Sequence, residues 1–387
     1  MSAETANDVI LITGGSGFLG QHIVRLIEER DLTVKEIRIV DLRPYENRLN
    51  HSEKIKLVSI VGDICDPLSI EYAFEGVDCV FHCAANINFQ FPTATDELER
   101  VNVTGTQNII DLCIKYNVPN LIYTSTALVT FIPCMGKGTF SIIVNQTENK
   151  AKAASCDSQF LIPGFPASKL RAEKFVLSSY GRKLSNGKGH LKTVSLRPTL
   201  MYGEEDQRFF PTIMRFADRW NGRIPRIAET GKKQITYVGN VAWAHLCAME
   251  KLKNEPKNIV GIPIFITDDS PITDTVRLTQ RINVDMETFK IKPTSWSIPY
   301  LLCYLIAMII EVFIKVINLF TNYHIEYCPC GMLAAAASFV FYDRLRSSIA
   351  LEYEPIYSVN EGFSRSAKWY DLWYQQYKDK KLKEKQQ

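Results

Sequence analysis

Short runs that are apolar on both faces alternate, along the first half of the chain, with stretches whose apolar residues recur at helical spacing. Val9-Ile10-Leu11-Ile12-Thr13 is the first such run, as a strand buried between two layers must be, and Ile23, Val24, Leu26 and Ile27 follow at helix period. Glu36–Asp41, Lys56–Val61, Asp78–Ala84 and Leu121–Thr126 read as further strands, and Asn102 opens a long helix ahead of the last of them. Strands alternating with helices predict an α/β fold with a doubly wound parallel sheet, whose ligands bind outside the carboxyl ends of the strands.

The turn after the first strand narrows that expectation. Gly14-Gly15-Ser16-Gly17-Phe18-Leu19-Gly20 joins a strand to a helix, and glycines at 14, 17 and 20 allow a tight turn, close approach of backbone amides to a pyrophosphate, and close packing of helix on strand. Asp41 ends the second strand 21 residues after Gly20, near the ~20 expected of a carboxylate that binds a ribose. The candidate dinucleotide site is therefore Gly14, Gly17, Phe18, Leu19 and Gly20 at the phosphates and Asp41 at the ribose, with Asp63 near an adenine edge and Ile64 and Ala84 beside it. Asp41 favours NAD, because a carboxylate accepts from two ribose hydroxyls and repels a 2′-phosphate. Arg43 is placed to meet such a phosphate, although a solvated loop residue is the simpler reading of it.

From Ile298 to Phe320 the pattern changes. The first half, Ile298–Ile310, carries no charge, and the whole stretch as a helix is just long enough to cross a hydrocarbon core of about 30 Å. Glu311 and Lys315 would each cost about 2.5–3.5 kcal/mol at mid-bilayer. With Asn318 and Asn322 they form one helical stripe, which suits a segment lying in one leaflet. The alternative is a buried core helix whose stripe faces water.

Composition adds limits. With 387 residues the chain exceeds a single core, and a net charge of +3 without a basic, aromatic-interleaved patch argues against nucleic acid. Ten scattered cysteines and a polar opening without a secretory signal point to reduced thiols on the cytosolic side. Cys328-Pro329-Cys330 lacks zinc-ligand spacing, so no metal is expected. The expected organisation is a dinucleotide-binding domain at 8–200, with part of 230–260 returning to it. A smaller substrate lobe follows at 201–295 and 330–375, with a membrane-associating segment at 297–321 and a polar, frayed tail at 376–387. Lys383 and Lys385 in that tail have the spacing of a dilysine retrieval signal, which places the chain on the cytosolic face of the endoplasmic reticulum membrane. A homodimer is compatible with the sequence.

Taken as a set, Thr13–Gly20, Gly62-Asp63, Ala84-Ala85, Asn102-Val103-Thr104-Gly105-Thr106 and Ser168-Lys169 resemble the extended short-chain dehydrogenase/reductase superfamily. Leu196–Glu204 and Tyr237–His245 resemble, within it, the 3β-hydroxysteroid dehydrogenase/isomerase family. The late Phe341-Tyr342-Asp343 and Leu351–Pro355 resemble the superfamily's C-terminal signature, with Glu352 where glycine is usual. The resemblance covers residues 8 to 375. It implies a Rossmann sheet, NAD as cofactor, and oxidation of a secondary alcohol on a hydrophobic, steroid-like substrate. It assigns Lys169 as the lysine that lowers a tyrosine's pKa and holds the nicotinamide ribose of the cofactor, Thr126 as the hydroxyl that positions the substrate oxygen, and Asn102 as part of a proton relay. The tyrosine itself is Phe165, which keeps the ring and lacks the hydroxyl. Loss of a positioned acid or base is worth about 10²–10⁴ in rate, so the resemblance implies an impaired dehydrogenase. Two rivals remain: a protein of the same fold that binds NAD and sterol without turnover, and a nucleotide-sugar epimerase or reductase.

Overall fold

The computed structural model describes residues 7–30, 33–133, 139–152, 154–227, 231–254 and 256–386. The polar residues 1–6 and Gln387 lie outside the described residues, as does the side chain of Lys385. Seven parallel strands make the main sheet: β1 (Asp8–Thr13), β2 (Val34–Asp41), β3 (Lys56–Val61), β4 (Cys79–His82), β5 (Asn120–Thr124), β6 (Lys192–Pro198) and β7 (Pro263–Ile266). Their order is β3-β2-β1-β4-β5-β6-β7, so the direction of travel reverses between β1 and β4. That reversal opens the crevice in which such sheets bind ligands.

The alternation of each strand divides the core. Ile10, Ile12, Ile37, Ile39 and Phe81 face helix α1 (Phe18–Glu29) and its Ile23, Val24, Leu26 and Ile27. Leu11, Val40, Val80, Leu121 and Tyr123 face the other layer, where helices α2 (Gly105–Lys115) and α3 (Phe165–Ser178) supply Ile109, Ile110, Ala172 and Val176. Helix α4 (Val238–Asn254) packs on α1.

Several boundaries depart from the sequence pattern. The strand expected at Asp78–Ala84 runs only from Cys79 to His82, and the Cys83 amide makes its last ladder bond, to Thr13 O. The strand expected to reach Thr126 ends at Thr124, and Thr126 instead caps a short turn, Ala127–Thr130. Asn102 does not begin a helix: it sits inside a wide, π-type turn, Glu99–Thr104, that leads into α2. Pro263–Ile266, within the stretch assigned to the substrate lobe, is the seventh strand of the main sheet. Glu352 has φ +52°, a left-handed conformation that favours glycine and accounts for the usual residue at this place.

Helix α5 (Tyr300–Ile317) is shorter than the apolar stretch and is oriented against the water-facing expectation. Glu311 accepts hydrogen bonds from the Cys330 amide (2.8 Å) and the Cys328 thiol, and Lys315 lies over the Phe91 ring. Asn318 closes the helix end on Ile314 O and Tyr323 O, whereas Asn322 lies beyond it. The polar stripe is thus taken up by the protein. Leu301, Leu305, Ile309 and Phe313 point away from it, 72, 56, 68 and 64% exposed.

The chain ends in one helix, α6 (Val359–Gln386), which runs through the expected tail. Lys378 and Lys381 both pair with the carboxylate of Asp218, so this part is anchored rather than frayed.

Candidate functional site

The carboxyl ends of β1, β2 and β4 build a cradle from backbone. Gly14 has φ +73°, and a Cβ there would stand 2.7 Å from the Ala84 amide nitrogen. A Cβ on Gly20 would collide with the carbonyls of Gly14 and Gly15. Glycine at both positions lets α1 start directly against the turn, where the amides of Phe18, Leu19 and Gly20 have no carbonyl one turn behind them. The Phe18 ring stands edge-on to His22 and the Leu19 side chain is buried, so these two residues offer the site their amides.

Asp41 accepts from the Ser16 amide at 3.1 Å, which fixes the carboxylate beside the loop. Arg43 is exposed yet not free: it donates to Ser16 O at 2.8 Å, and Arg48 donates to the same oxygen. Asp63 accepts from the Cys65 amide (2.9 Å) and from Arg100 (3.2 Å). Ile64 is buried against Gly105, and the Ala84 amide points at Thr13 Oγ1.

The second group of candidates gathers beside this cradle. Lys169 is buried on α3, donates to Thr124 O at 2.7 Å, and lies 4.1 Å from the centre of the Tyr123 ring. Loss of solvent around the ammonium brings its pKa down to about 7. Phe165, one helical turn earlier, is buried with its ring edge-on to Phe89. Thr126 Oγ1 accepts from the Leu128 amide at 3.2 Å, which leaves its own hydrogen to donate. Asn102 gives its two amide hydrogens to Asn86 O and Ser168 Oγ, both at 2.9 Å, and its oxygen accepts from the Asn86 amide. It clamps the 86 loop to α3 and retains no hydrogen for a relay. No other tyrosine replaces the missing one from nearby motifs: Tyr123 and Tyr202 are both fully buried, Tyr202 with its hydroxyl on Ser270.

Sequence reasoning did not find the line of polar side chains beneath the site. Thr106 donates its one hydrogen to Asn102 O (2.6 Å), so its oxygen accepts from His82 Nε2 (2.9 Å). His82 Nδ1 then accepts from Thr13 Oγ1 (2.7 Å), which assigns the tautomer. Burial holds the His82 pKa down at about 3, so the ring stays neutral. Nothing in the spacing of these residues signals the connection, because it joins β1, β4, the Glu99–Thr104 turn and α2.

The late motifs meet elsewhere. Tyr237 donates to the buried Glu204 carboxylate at 2.7 Å, beside Arg25, and Asn240 holds Asp268 and Tyr357 O. These residues join the C-terminal segments to the sheet.

Among solved structures, the chain is similar to MoeE5 in complex with UDP-glucuronic acid and NAD, at 17% identity and a TM-score of 0.65, covering 94% of this chain and 98% of that one. It is similar to an epimerase from Methanothermobacter thermautotrophicus at 15% identity and a TM-score of 0.67, covering 97 and 96%. A dTDP-glucose 4,6-dehydratase from Bacillus anthracis, in complex with NAD, gives 17% identity and a TM-score of 0.62, covering 94 and 97%. At these identities the likeness is one of fold. A family model spans residues 11–299, from the first strand to the edge of the apolar helix, and takes in the glycine turn, the Lys169 helix and the Tyr237 motif. The chain belongs to the 3-beta hydroxysteroid dehydrogenase/isomerase family.

Proposed function

We propose that the protein is an NAD-linked oxidoreductase acting on a secondary alcohol of a hydrophobic, steroid-like substrate, with turnover slowed by Phe165. The observation that carries this reading is the pairing of an intact cradle with a seated Lys169, one turn from a ring that lacks only the hydroxyl. The cradle suits a dinucleotide, since only glycine at 14 and 20 lets the turn and the start of α1 pack this closely, with the first amides of the helix left for a phosphate. Gly14, Gly17 and Gly20 would admit the pyrophosphate to the amides of Phe18 and Leu19, Asp41 would take the ribose, and Asp63, Ile64 and Ala84 would flank the adenine side. NAD, when bound, supplies the acceptor for the alcohol's hydride. Thr126 would donate to the substrate oxygen and hold it. Lys169, without an acidic partner at ion-pair distance among the described residues, would place positive charge beside the site when protonated, below about pH 7. Phe89, Leu128, Leu161 and Ala335 are partly buried on one apolar cluster, and Phe89 meets the Phe165 ring, which offers an apolar wall for an apolar ring system.

The same reading places the protein at the cytosolic face of the endoplasmic reticulum membrane, with the outward face of α5 in one leaflet. Its support is the orientation of the helix, apolar outward and polar inward. By length and composition, α5 could also cross a membrane. The inward bonds of Glu311 and Asn318 favour the one-leaflet arrangement, since a spanning helix would have to leave the protein that satisfies them.

A second reading, NAD and sterol binding without turnover, is favoured by the Asn102 clamp and by Phe165 itself. Purified protein assayed with NAD and a panel of 3β-hydroxysteroids, beside Phe165→Tyr, separates the two. Hydride transfer to NAD by the unmodified protein supports the oxidoreductase, whereas transfer by Phe165→Tyr alone leaves the unmodified protein a binding protein. Tight NAD binding with no transfer in both supports the binding protein.

A further inference from the structure

Three segments far apart in sequence form a small parallel sheet: 232–233, 339–342 and 142–146, in that order, with 142–146 at the edge. Its inner face is core, and its row ends at Lys233, which pairs with Val340 and whose pKa burial lowers to about 8. Ile143, Val340 and Tyr342 are buried there with Phe131 and Phe265. Its outer face is not what water requires. Ile142 and Val144 alternate with the buried Ser141 and Ile143, so they point outward, 51 and 62% exposed. A strand with one face in water carries polar residues on that face; here both faces are apolar.

Register extends the outer face across the sheet. Phe339 pairs with Ile142 and lies on the same side, while Lys232 pairs with Phe339 and ends that row in a cation. Phe341 lies between the inward Val340 and Tyr342 and so turns outward with Phe339. Phe140, 41% exposed, precedes the edge strand.

This surface is joined to α5 at both ends. The Tyr300 hydroxyl, at the first residue of α5, donates to Thr139 O at 2.7 Å, one residue before Phe140. The helix Pro329–Ala337 packs on α5 through the bond from the Cys330 amide to Glu311 and, after Ser338, runs into Phe339. The outward side of α5 and the outer face of the sheet are therefore neighbouring surfaces of one body.

We propose that the outer face of this small sheet, with Phe140, Ile142 and Val144 at its edge, is a second membrane-contact surface and rests on the same leaflet that receives α5. The proposal depends on the membrane reading given above and adds a second point of contact to it. One helix alone leaves the protein free to roll about the helix axis; two contacts fix how deep and at what angle it sits. Lys232 at the far end of the row suits a lipid phosphate at the headgroup level, its stem lying along the apolar face.

The test uses the full chain and vesicles of phosphatidylcholine, with and without phosphatidylserine. Binding by flotation is compared for the unmodified protein, for Ile142→Ser with Val144→Ser, and for Ile309→Ser with Phe313→Ser in α5. A dye on Val144→Cys, in a background that carries Cys156→Ser and is compared with the same background without the added cysteine, reports the polarity around the strand, with NAD binding checked in every variant. The expected result is a loss of about tenfold in partition for the strand pair, a loss at least as large for the helix pair, and a blue shift of the dye on vesicles. Release by the helix pair, with the strand pair unchanged and the dye still in water, overturns the second contact and leaves α5 as the only one. An unmodified protein that does not float overturns the membrane reading and this proposal with it. A dimer that the strand substitutions dissociate assigns the face to a second copy instead, which also overturns it.

Discussion

The ring of Phe165 stands edge-on to the ring of Phe89, with centroids 5.3 Å apart and planes at 78°. Phe89 is held in turn, since its carbonyl accepts from the Cys328 amide at 2.8 Å, just beyond the apolar helix. The aromatic pair fixes the orientation of a ring that lacks only a hydroxyl. Phe165→Tyr adds one oxygen to that ring, and the nearby Lys169, when protonated, favours a phenolate by its charge. Dehydrogenase activity on a 3β-hydroxysteroid is expected to rise by about 10²-fold or more, with NAD affinity little changed. Steady-state kinetics with both proteins check it, and equal activity would assign the proton to another group.

Lys169 gives a pH signature that does not depend on activity. Its pKa falls from 10.5 to about 7 on folding, because burial penalises the ammonium. Between those values the unfolded chain holds the proton and the folded chain does not, so the contribution of this residue to stability improves as pH rises. Below pH 7 its cost is greatest. Lys169→Met should therefore stabilise the cofactor-free protein most near and below pH 7, and the advantage should shrink by up to roughly 1.4 kcal/mol per unit towards pH 10.5. Urea unfolding of both proteins across that range measures it, and a constant difference would refute the assignment.

Cofactor choice rests on three side chains around the backbone of one residue, Ser16. Asp41 takes the Ser16 amide while Arg43 and Arg48 take the Ser16 carbonyl, so the two guanidinium groups are committed beside the carboxylate. NAD is expected to bind more tightly than NADP. Asp41→Ala removes the repulsion of a 2′-phosphate and leaves both arginines, so NADP should gain on NAD by about tenfold or more. Fluorescence titration with each cofactor decides it. NADP binding more tightly to the unmodified protein would shift the selection to Arg43.

Glu311 separates the two readings of the apolar segment at the level of folding. A stripe residue in water could be replaced freely, but here its carboxylate holds the Cys330 amide and the Cys328 thiol. Glu311→Ala leaves that amide without its partner, at a cost of about 1–3 kcal/mol. A fall in the thermal midpoint is the expected result in detergent. Ile309→Gln on the outward face serves as the control and should leave the midpoint unchanged.

What could be read from the chain depended on whether the signal was local. Lys56–Val61 and the glycine turn lie where the pattern puts them, because apolar alternation and missing side chains act within a few residues. The spacing of Glu311, Lys315 and Asn318 showed that they share a face, but not whether that face turns to water or to protein, which depends on Cys328, Cys330 and Phe91. The lysines near the C-terminus read as solvated until Asp218, 160 residues away from Lys378, is brought to them by the fold. Asn102 was legible as a candidate. The wide turn that aims it inward was not, since no propensity distinguishes such a turn from the helix it interrupts. The small sheet draws on three segments spread over two hundred residues and has no sequence period of its own.

The line from Thr13 through His82, Thr106 and Asn102 to Ser168 bears on the accuracy of the site as a whole. Thr13 immediately precedes Gly14, and Ser168 closes on Phe165 O at 2.9 Å, so each end borders one half of the machinery. Every hydrogen in it has one direction, and its histidine keeps one charge state across the physiological range. The spacing between the glycine turn and the start of α3 is consequently set as a single dimension, with little room for either to drift alone. An error of about 1 Å in such a dimension can lower a rate about a hundredfold. Substitutions along this line would therefore detune the alignment of two bound molecules while leaving each of them bound.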